Sequence, residues 1–213
     1  MNFKLRKKQA GMTYVELIVV LSIFSIVTGT VIFNYKNFQA KVDLKNLVSD
    51  IVLKFVNAQK KSTAGEIPFG KIIPTSPPLL EDWKPSYGIY FNTSPGSSDT
   101  GNQVFYYFTD LDQNKKFDEI FKCPFSECIE KFRLPNEKYL SDMYVQYYDG
   151  VMESVDGVGI SLTFTRPDSI MTIKKANDQN ALIGVDFLNF RVEDASAPYF
   201  TVRMYSSGRI DII

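Results

Sequence analysis

Residues 1–33 decide the fold of this chain and read MNFKLRKKQAGMTYVELIVVLSIFSIVTGTVIF. The first eleven residues carry no acidic side chain and four basic ones, Lys4, Arg6, Lys7 and Lys8. Residues 12–33 are apolar except for Glu16 and a few small hydroxylated residues. A helix of that length spans about 33 Å, enough for the ~30 Å hydrocarbon core of a bilayer. The stretch therefore predicts a membrane-spanning helix whose basic end stays in the cytoplasm.

A lone glycine, Gly11, separates the basic residues from the apolar run. An ordinary secretory signal has a cleavage site of small residues after its apolar run, and none is evident between Phe33 and Lys41. A cut after Gly11 would keep the helix, with Met12 as the new first residue and Glu16 as the fifth. A carboxylate within a membrane costs about 2.5–3.5 kcal/mol. We therefore expect Glu16 to pair with the new amine of Met12, in its own chain or a neighbour's.

This arrangement of basic residues, Gly11, an apolar segment and Glu16 resembles the prepilin peptidase motif of the type IV pilin-like superfamily. The resemblance implies cleavage after Gly11, N-methylation of Met12 and assembly of the processed subunit through Glu16. Met12 replaces the phenylalanine that is most common after the cut, and Phe33 stands about where the family's usual proline would fall. The alternative interpretation is an ordinary signal-anchor helix in which Glu16 is an interfacial carboxylate.

The helical pattern continues beyond the apolar run. Apolar residues recur mostly at spacings of three and four, at Leu44, Leu47, Val48, Ile51, Phe55, Val56 and Ala58. We therefore predict one helix over residues 13–61. Residues 12–33 are its transmembrane and assembly part, and residues 34–62 are its amphipathic half, with one apolar stripe on the domain that follows.

Residues 63–213 are predicted to form an exported, β-rich globular domain. Residues 67–85 are rich in proline and predict an irregular connection. Aromatic and β-branched runs between turn residues then predict strands at 87–92, 103–109, 131–134, 143–148, 159–166, 170–174, 185–193, 199–205 and 209–213. No second helical segment is convincing. We predict an α+β fold resembling that of pilins, with the long N-terminal helix packed on an antiparallel β-sheet or β-sandwich domain.

Two segments of this domain resemble the GspH/FimT group of minor pseudopilins and minor pilins. Residues 104–118, VFYYFTDLDQNKKFD, predict a strand that enters a turn rich in Asp and Asn. Residues 200–210, FTVRMYSSGRI, predict a strand, a Ser-Gly turn and a second strand. The resemblance implies a structural subunit of a type IV pilus or a type II secretion pseudopilus, without enzymatic activity. The alternative is a pilus-tip subunit that contacts DNA or a surface.

The same resemblance implies a location and a set of partners. The precursor would be a single-pass protein of the cytoplasmic (inner) membrane, with residues 1–11 as its leader and the globular domain outside the cytoplasm. The processed subunit would then enter the filament. Its partners would be other pilin or pseudopilin subunits, the prepilin peptidase, a membrane protein of the assembly platform and the lipid bilayer.

The composition excludes several classes of function. The 213 residues include no histidine, which removes Ser-His-Asp and Cys-His catalysis and most zinc sites. The chain has 24 basic and 24 acidic side chains, and without the four basic residues of the leader it has 20 against 24, a net charge of about −4. An acidic body is a poor general ligand for nucleic acid, so we expect no nucleic-acid partner. Small basic pairs remain at Lys131, Arg133, Lys174 and Lys175.

The Asp-rich turn places oxygen ligands at positions 1, 3, 5 and 9 of a calcium-loop pattern, at Asp110, Asp112, Asn114 and Asp118. It departs from that pattern at Lys115, where glycine is usual, and at Phe121, where glutamate is usual; Glu119 could substitute. Calcium is one interpretation. The other is a solvated hairpin turn that uses Asp and Asn for their turn geometry. No other cofactor is expected.

Cys123 and Cys128 are the two cysteines of the chain and stand five residues apart. In a cytosolic protein they would be buried thiols, whereas in an exported domain they would pair. Since the resemblance implies an exported domain, we expect a disulfide. Closing so short a loop stabilises the fold by only about 2 kcal/mol.

Overall fold

The computed structural model describes residues 11–68, 86–96, 101–118, 127–135, 138–166, 170–178, 180–194 and 197–213. Within them the chain forms one helix, α1 (Tyr14–Ala64), and ten strands. The chain divides into two compact units, Met1–Ala40 and Lys41–Ile213. Several predictions fall outside the described residues, namely the leader before Gly11, most of the connection at 67–85, and the roles of Glu119, Phe121 and Cys123.

Both ends of α1 follow from local hydrogen bonds. The Thr13 hydroxyl accepts a hydrogen bond from the backbone N–H of Glu16 at 3.3 Å, which caps the first turn. At the other end Gly65 has a left-handed φ of 64°. Its N–H and that of the next residue donate to the carbonyls of Ser62 and Lys61, both at 3.1 Å, as in a Schellman motif. The helix therefore begins one residue later than predicted and ends three residues later.

The first unit contains the apolar part of α1. The segment Tyr14–Ile32 has a mean hydropathy of 2.4 and no buried residue, so it is long and apolar enough to cross a membrane. Four hydroxyls in it donate to carbonyls of the same helix at 2.8 Å, those of Ser22, Ser25, Thr28 and Thr30. Polar groups in lipid need such internal partners. These side chains are therefore compatible with a hydrocarbon environment.

The second unit contains two antiparallel sheets of five strands. The strands of sheet 1 are β1 (Ser86–Phe91), β2 (Val104–Asp110), β3 (Cys128–Arg133), β6 (Ile160–Phe164) and β7 (Met171–Lys175). Those of sheet 2 are β4 (Tyr139–Tyr147), β5 (Met152–Ser154), β8 (Val185–Asp194), β9 (Ala197–Tyr205) and β10 (Ile210–Ile212). The order is β3-β2-β1-β6-β7 in sheet 1 and β10-β9-β8-β4-β5 in sheet 2.

Both sheets and the helical residues 41–64 share one apolar core. The helix contributes its buried stripe, formed by Leu44, Val48, Ile51, Phe55 and Ala58. The ring of Phe55 lies 6.1 Å from that of Phe91 in sheet 1 and 6.2 Å from that of Phe190 in sheet 2. The predicted α+β architecture, a helix packed on antiparallel sheets, is therefore confirmed.

A second apolar cluster covers the other face of sheet 1. This outer cluster consists of Tyr90, Val104, Tyr106, Phe108, Phe117 and Cys128. Phe117 comes from the loop after β2, and its ring lies 5.5, 5.3 and 5.1 Å from the rings of Tyr90, Tyr106 and Phe108. The Asp-rich loop therefore closes this face of the sheet.

The nine predicted strands are all present, with boundaries shifted by a few residues. The sequence did not predict β5 or the first four residues of β4. β5 has only three residues and no run of alternating side chains. In β4 the register with β8 shifts between Ser141 and Tyr144, and Asp142 has a φ of 44°. This bulge interrupts the two-residue period on which strand prediction depends.

Candidate functional site

The predicted cleavage site lies in an open segment ahead of α1. Gly11 and Met12 precede the first helical residue, Tyr14, and Met12 is 57% exposed. A side chain added at Gly11 would have no neighbour within 4 Å in the part of the chain that the structure describes. The described residues therefore leave the bond between Gly11 and Met12 accessible to a peptidase.

Glu16 lies in the first turn of α1, where its side chain is exposed. No Lys or Arg among the described residues forms an ion pair with it. A negative charge is favourable near a helix N-terminus, although the effect is screened by water and weak at an exposed site. In an apolar environment Glu16 would need a cationic partner, and the amine created by cleavage is the nearest one along the chain.

Three acidic residues converge at the end of β2. Asp110, Asp112 and Glu127 each place a carboxylate oxygen within 4.8 Å of the other two, and we call them the carboxylate cluster. Asp110 is the last residue of β2 and is fully buried, Glu127 precedes β3 and is 6% exposed, and Asp112 is exposed. The cluster therefore lies at both ends of the connection between β2 and β3.

The hydrogen bonds of Asp110 satisfy only one of its oxygens. Its Oδ2 accepts hydrogen bonds from the Ser86 hydroxyl at 3.1 Å and from the backbone N–H of Lys115 at 3.0 Å. Its Oδ1 is buried and has no hydrogen-bond partner among the described residues. An unpaired buried acceptor costs about 1–3 kcal/mol, so this oxygen lies in an unusual environment.

Glu127 accepts two backbone hydrogen bonds, from Leu111 at 3.1 Å and from Asp118 at 3.4 Å. Burial nevertheless raises its pKa to about 8, and the neighbouring charges of Asp112 and Asp110 add to the rise. Burial also raises the pKa of Asp110 to about 6. Three negative charges are thus unfavourable here unless a proton or a cation joins them.

Asn114 and Asp118 bond within the loop instead of joining the cluster. The Asn114 amide donates to Asp112 at 2.8 Å and also to Asp118, and its Oδ1 accepts from the backbone N–H of Lys116 at 2.7 Å. The Lys116 ammonium lies 3.7 Å from Asp118. Of the four predicted ligands, the structure thus brings Asp110 and Asp112 together, and Glu127 is the partner that sequence reasoning missed.

Two hydrogen bonds hold the Asp-rich loop on sheet 1. The backbone N–H of Phe117 donates to the Ser161 hydroxyl in β6 at 3.0 Å. The Lys174 ammonium in β7 donates to the Asn114 carbonyl at 2.7 Å. These bonds, with the ring contacts of Phe117, place the loop over the outer cluster.

Lys115 occupies the loop position where a calcium-loop pattern has glycine, and its φ is 61°. A left-handed conformation costs a residue with a Cβ roughly 1–2 kcal/mol. We therefore expect Lys115→Gly to have a free energy of unfolding about 1 kcal/mol higher than Lys115→Ala, because both variants lose the same charge. Denaturant melts of the two variants measure this difference. An alanine variant at least as stable as the glycine variant would show that this φ carries no strain.

The three lysines of the predicted basic pairs have partners within the chain. Lys174 donates to the Asn114 carbonyl, and Lys175 pairs with Glu153. The Lys131 ammonium lies 5.9 Å from the centre of the Tyr106 ring. These contacts favour a structural role for the lysines over a nucleic-acid surface.

Cys128 is buried in the outer cluster, but Cys123 lies outside the described residues, so the disulfide stays a prediction.

Comparison with known proteins identifies the N-terminal segment. Residues 6–32 match the family model of the prokaryotic N-terminal methylation motif. A search of curated proteins and a search of solved structures each gave no match. The matched residues include Gly11, Met12 and Glu16 and end where the apolar segment of α1 ends, at Ile32. The motif supports a type IV pilin-like subunit that is processed by a prepilin peptidase and assembles with other pilin subunits.

Proposed function

We propose that this chain is a structural subunit, a minor pilin or pseudopilin, of a type IV pilus or a type II secretion pseudopilus. The observation that carries the proposal is the methylation motif at residues 6–32, which leads into an apolar helix with Glu16 in its first turn. Cleavage after Gly11 removes the basic residues of the leader and leaves a helix whose first part is apolar except for Glu16 and a few hydroxylated residues. Such a helix can leave the bilayer only if other apolar surfaces cover it, and neighbouring copies of the same helix supply them.

We further propose that the subunit is of the GspH/FimT type, as the resemblance of residues 104–118 and 200–210 implies. The predicted strand, Ser-Gly turn and strand at 200–210 form the hairpin of β9 and β10. Gly208 has a φ of 86° in this turn, and its N–H donates to the Tyr205 carbonyl at 2.8 Å. A side chain at Gly208 would collide with the amide of Gln59 on α1. The positive φ of this turn therefore favours glycine, whereas the Gln59 amide is the end of a flexible side chain that moves aside at little cost.

The proposal includes a location and partners. The precursor resides in the cytoplasmic membrane with its β-rich unit outside the cytoplasm. A prepilin peptidase in the same membrane cuts the precursor after Gly11 and N-methylates Met12. An assembly-platform membrane protein then passes the subunit into the filament. In this proposal the chain has no catalytic activity of its own, since its function is to pack against other subunits of the filament.

Processing is the direct test. The full-length chain, expressed together with a prepilin peptidase, should have Met12 as its N-terminal residue and a mass raised by one methyl group. The leader and Gly11 supply the cut, and the apolar segment of α1 holds the bond at the membrane. Mass spectrometry of the N-terminal peptide measures the result. The same chain without the peptidase should keep its leader, and an N-terminus beyond Phe33 would identify a conventional secreted protein instead.

A further inference from the structure

The carboxylate cluster carries acidic side chains whose charge no basic side chain balances among the residues that the structure describes. Within the described residues no Lys or Arg forms an ion pair with Asp110, Asp112 or Glu127. The Oδ1 atom of Asp110 has no exposed surface available to water and no hydrogen-bond donor among the described residues. We propose that the carboxylate cluster binds one calcium ion, with Asp110, Asp112 and Glu127 as its protein ligands.

The spacing of the oxygens suits calcium. Calcium binds oxygen ligands at about 2.3–2.6 Å, so two oxygens on opposite sides of the ion are about 5 Å apart. Magnesium demands a near-octahedral shell at about 2.0–2.1 Å and usually keeps several waters, which the buried side chains of Asp110 and Glu127 disfavour. The cluster oxygens lie within 4.8 Å of one another, so they can share a calcium ion with little movement. Water completes the coordination at Asp112, which is exposed.

Hydrogen bonds hold the three carboxylates in place for a ligand. Asp110 is held through Oδ2, which leaves Oδ1 open. Each Glu127 oxygen accepts one backbone N–H, and a carboxylate oxygen with one such bond keeps a second lone pair. Asp112 accepts hydrogen bonds from the backbone and the side chain of Asn114. These partners orient the ligands as the outer-shell groups of metal sites do.

An ion at this position would tie the two ends of the β2–β3 connection together. Asp110 ends β2, Asp112 lies in the loop, and Glu127 precedes β3. The same loop carries Phe117, which covers the outer cluster. Calcium would therefore stabilise the cover of sheet 1. This inference stands on the cluster alone, so it holds whether or not the chain assembles into a filament.

The test uses the full-length chain in detergent micelles, with calcium chloride or a chelator. Saturating calcium should raise the melting temperature by about 5 °C or more, because a ligand that binds only the folded state stabilises it. Asp112→Asn and Glu127→Gln should each weaken calcium binding, measured by titration calorimetry, by about tenfold or more. Far-UV circular dichroism establishes that each variant is folded before its affinity is measured.

Two matched controls separate this ligand set from a general effect of charge. Asp50→Asn removes one acidic group from an exposed site on α1, and Asp118→Asn removes one from the loop itself. Both should bind calcium within about twofold of the unmodified chain, because neither residue belongs to the cluster. Equal melting curves in calcium and chelator would overturn the proposal. So would an equal shift with magnesium chloride, or a loss of binding in Asp118→Asn without one in Asp112→Asn.

Discussion

Glu16→Val is expected to enter the membrane and to be cleaved after Gly11, yet to reach filaments at least tenfold less often than the unmodified chain. The leader and the apolar segment that direct insertion and cleavage are unchanged in this variant. The loss arises later, when helices pack in an environment of low dielectric constant. There the Glu16 carboxylate can pair with the Met12 amine of an adjacent subunit, and methylation keeps the charge of that amine.

The size of this assembly defect follows from the Met12 amine, which loses its carboxylate partner in Glu16→Val. Removing one member of a buried ion pair costs on the order of 3–5 kcal/mol, because the other charge remains desolvated. Each 1.4 kcal/mol is a factor of ten in an equilibrium, so the pair favours the one axial stagger at which the two charges meet. Without Glu16 the subunit has no such preference and accumulates in the membrane.

The measurement compares sheared filaments with the membrane fraction by immunoblotting, with N-terminal mass spectrometry to establish cleavage. Ser22→Val is the matched control, since it also adds apolar surface to the same helix. The Ser22 hydroxyl bonds to the Ile18 carbonyl of its own helix at 2.8 Å, so its loss leaves no group in another subunit unpaired. The control should assemble normally. If Glu16→Val also assembles at the unmodified level, charge pairing does not guide this subunit.

Local sequence patterns were sufficient to predict the helix and most strands. The start of α1 is marked by the Thr13 cap, and its end by Gly65, because both act on backbone groups within one turn. Other strands are marked by alternating side chains, as in β9, where Val202 and Met204 enter the core and Arg203 between them does not. Helix caps and alternating side chains can be recognised without knowing which residues from distant parts of the sequence are in contact.

The third member of the carboxylate cluster could not be found in this way. Glu127 follows Asp112 by fifteen residues, and no loop pattern spans that distance. It reaches the site because β3 pairs with β2, where the backbone N–H of Thr109 donates to the Glu127 carbonyl at 2.9 Å. If the register of β2 and β3 had been predicted from the sequence, Glu127 would have been recognised as an acidic residue opposite the end of β2.

The role of Phe117 was hidden for a similar reason. The sequence predicts a solvated Asp-rich turn, and a phenylalanine in such a turn has no periodic pattern to indicate its direction. The structure shows that β1 and β2 are buried on both faces, so a cover lies over their outer face. Continuous apolar runs in these two strands are the feature from which such a cover could have been inferred.

Phe55→Ala is expected to lower the free energy of unfolding of the Lys41–Ile213 unit by about 3–5 kcal/mol. Phe55 is 1% exposed, and its ring contacts Phe91 of sheet 1 and Phe190 of sheet 2. Truncation to alanine removes the apolar surface that joins the helix to both sheets and leaves a cavity among close-packed rings. Since domains are stable by only about 5–15 kcal/mol, this loss is a large part of the total.

Leu53→Ala is the matched control, because Leu53 lies two residues earlier on the same helix and is 55% exposed. Its truncation should change the free energy of unfolding by no more than about 0.5 kcal/mol. Denaturant unfolding of the full-length chain in detergent, followed by near-UV circular dichroism, reports the packing of the aromatic core. A similar midpoint for the two variants would mean that helical residues 41–64 do not stabilise the sheets. A loss of stability in Phe55→Ala alone would instead show that the buried stripe of α1 stabilises the two sheets. This conclusion does not depend on any role of the helix in a filament.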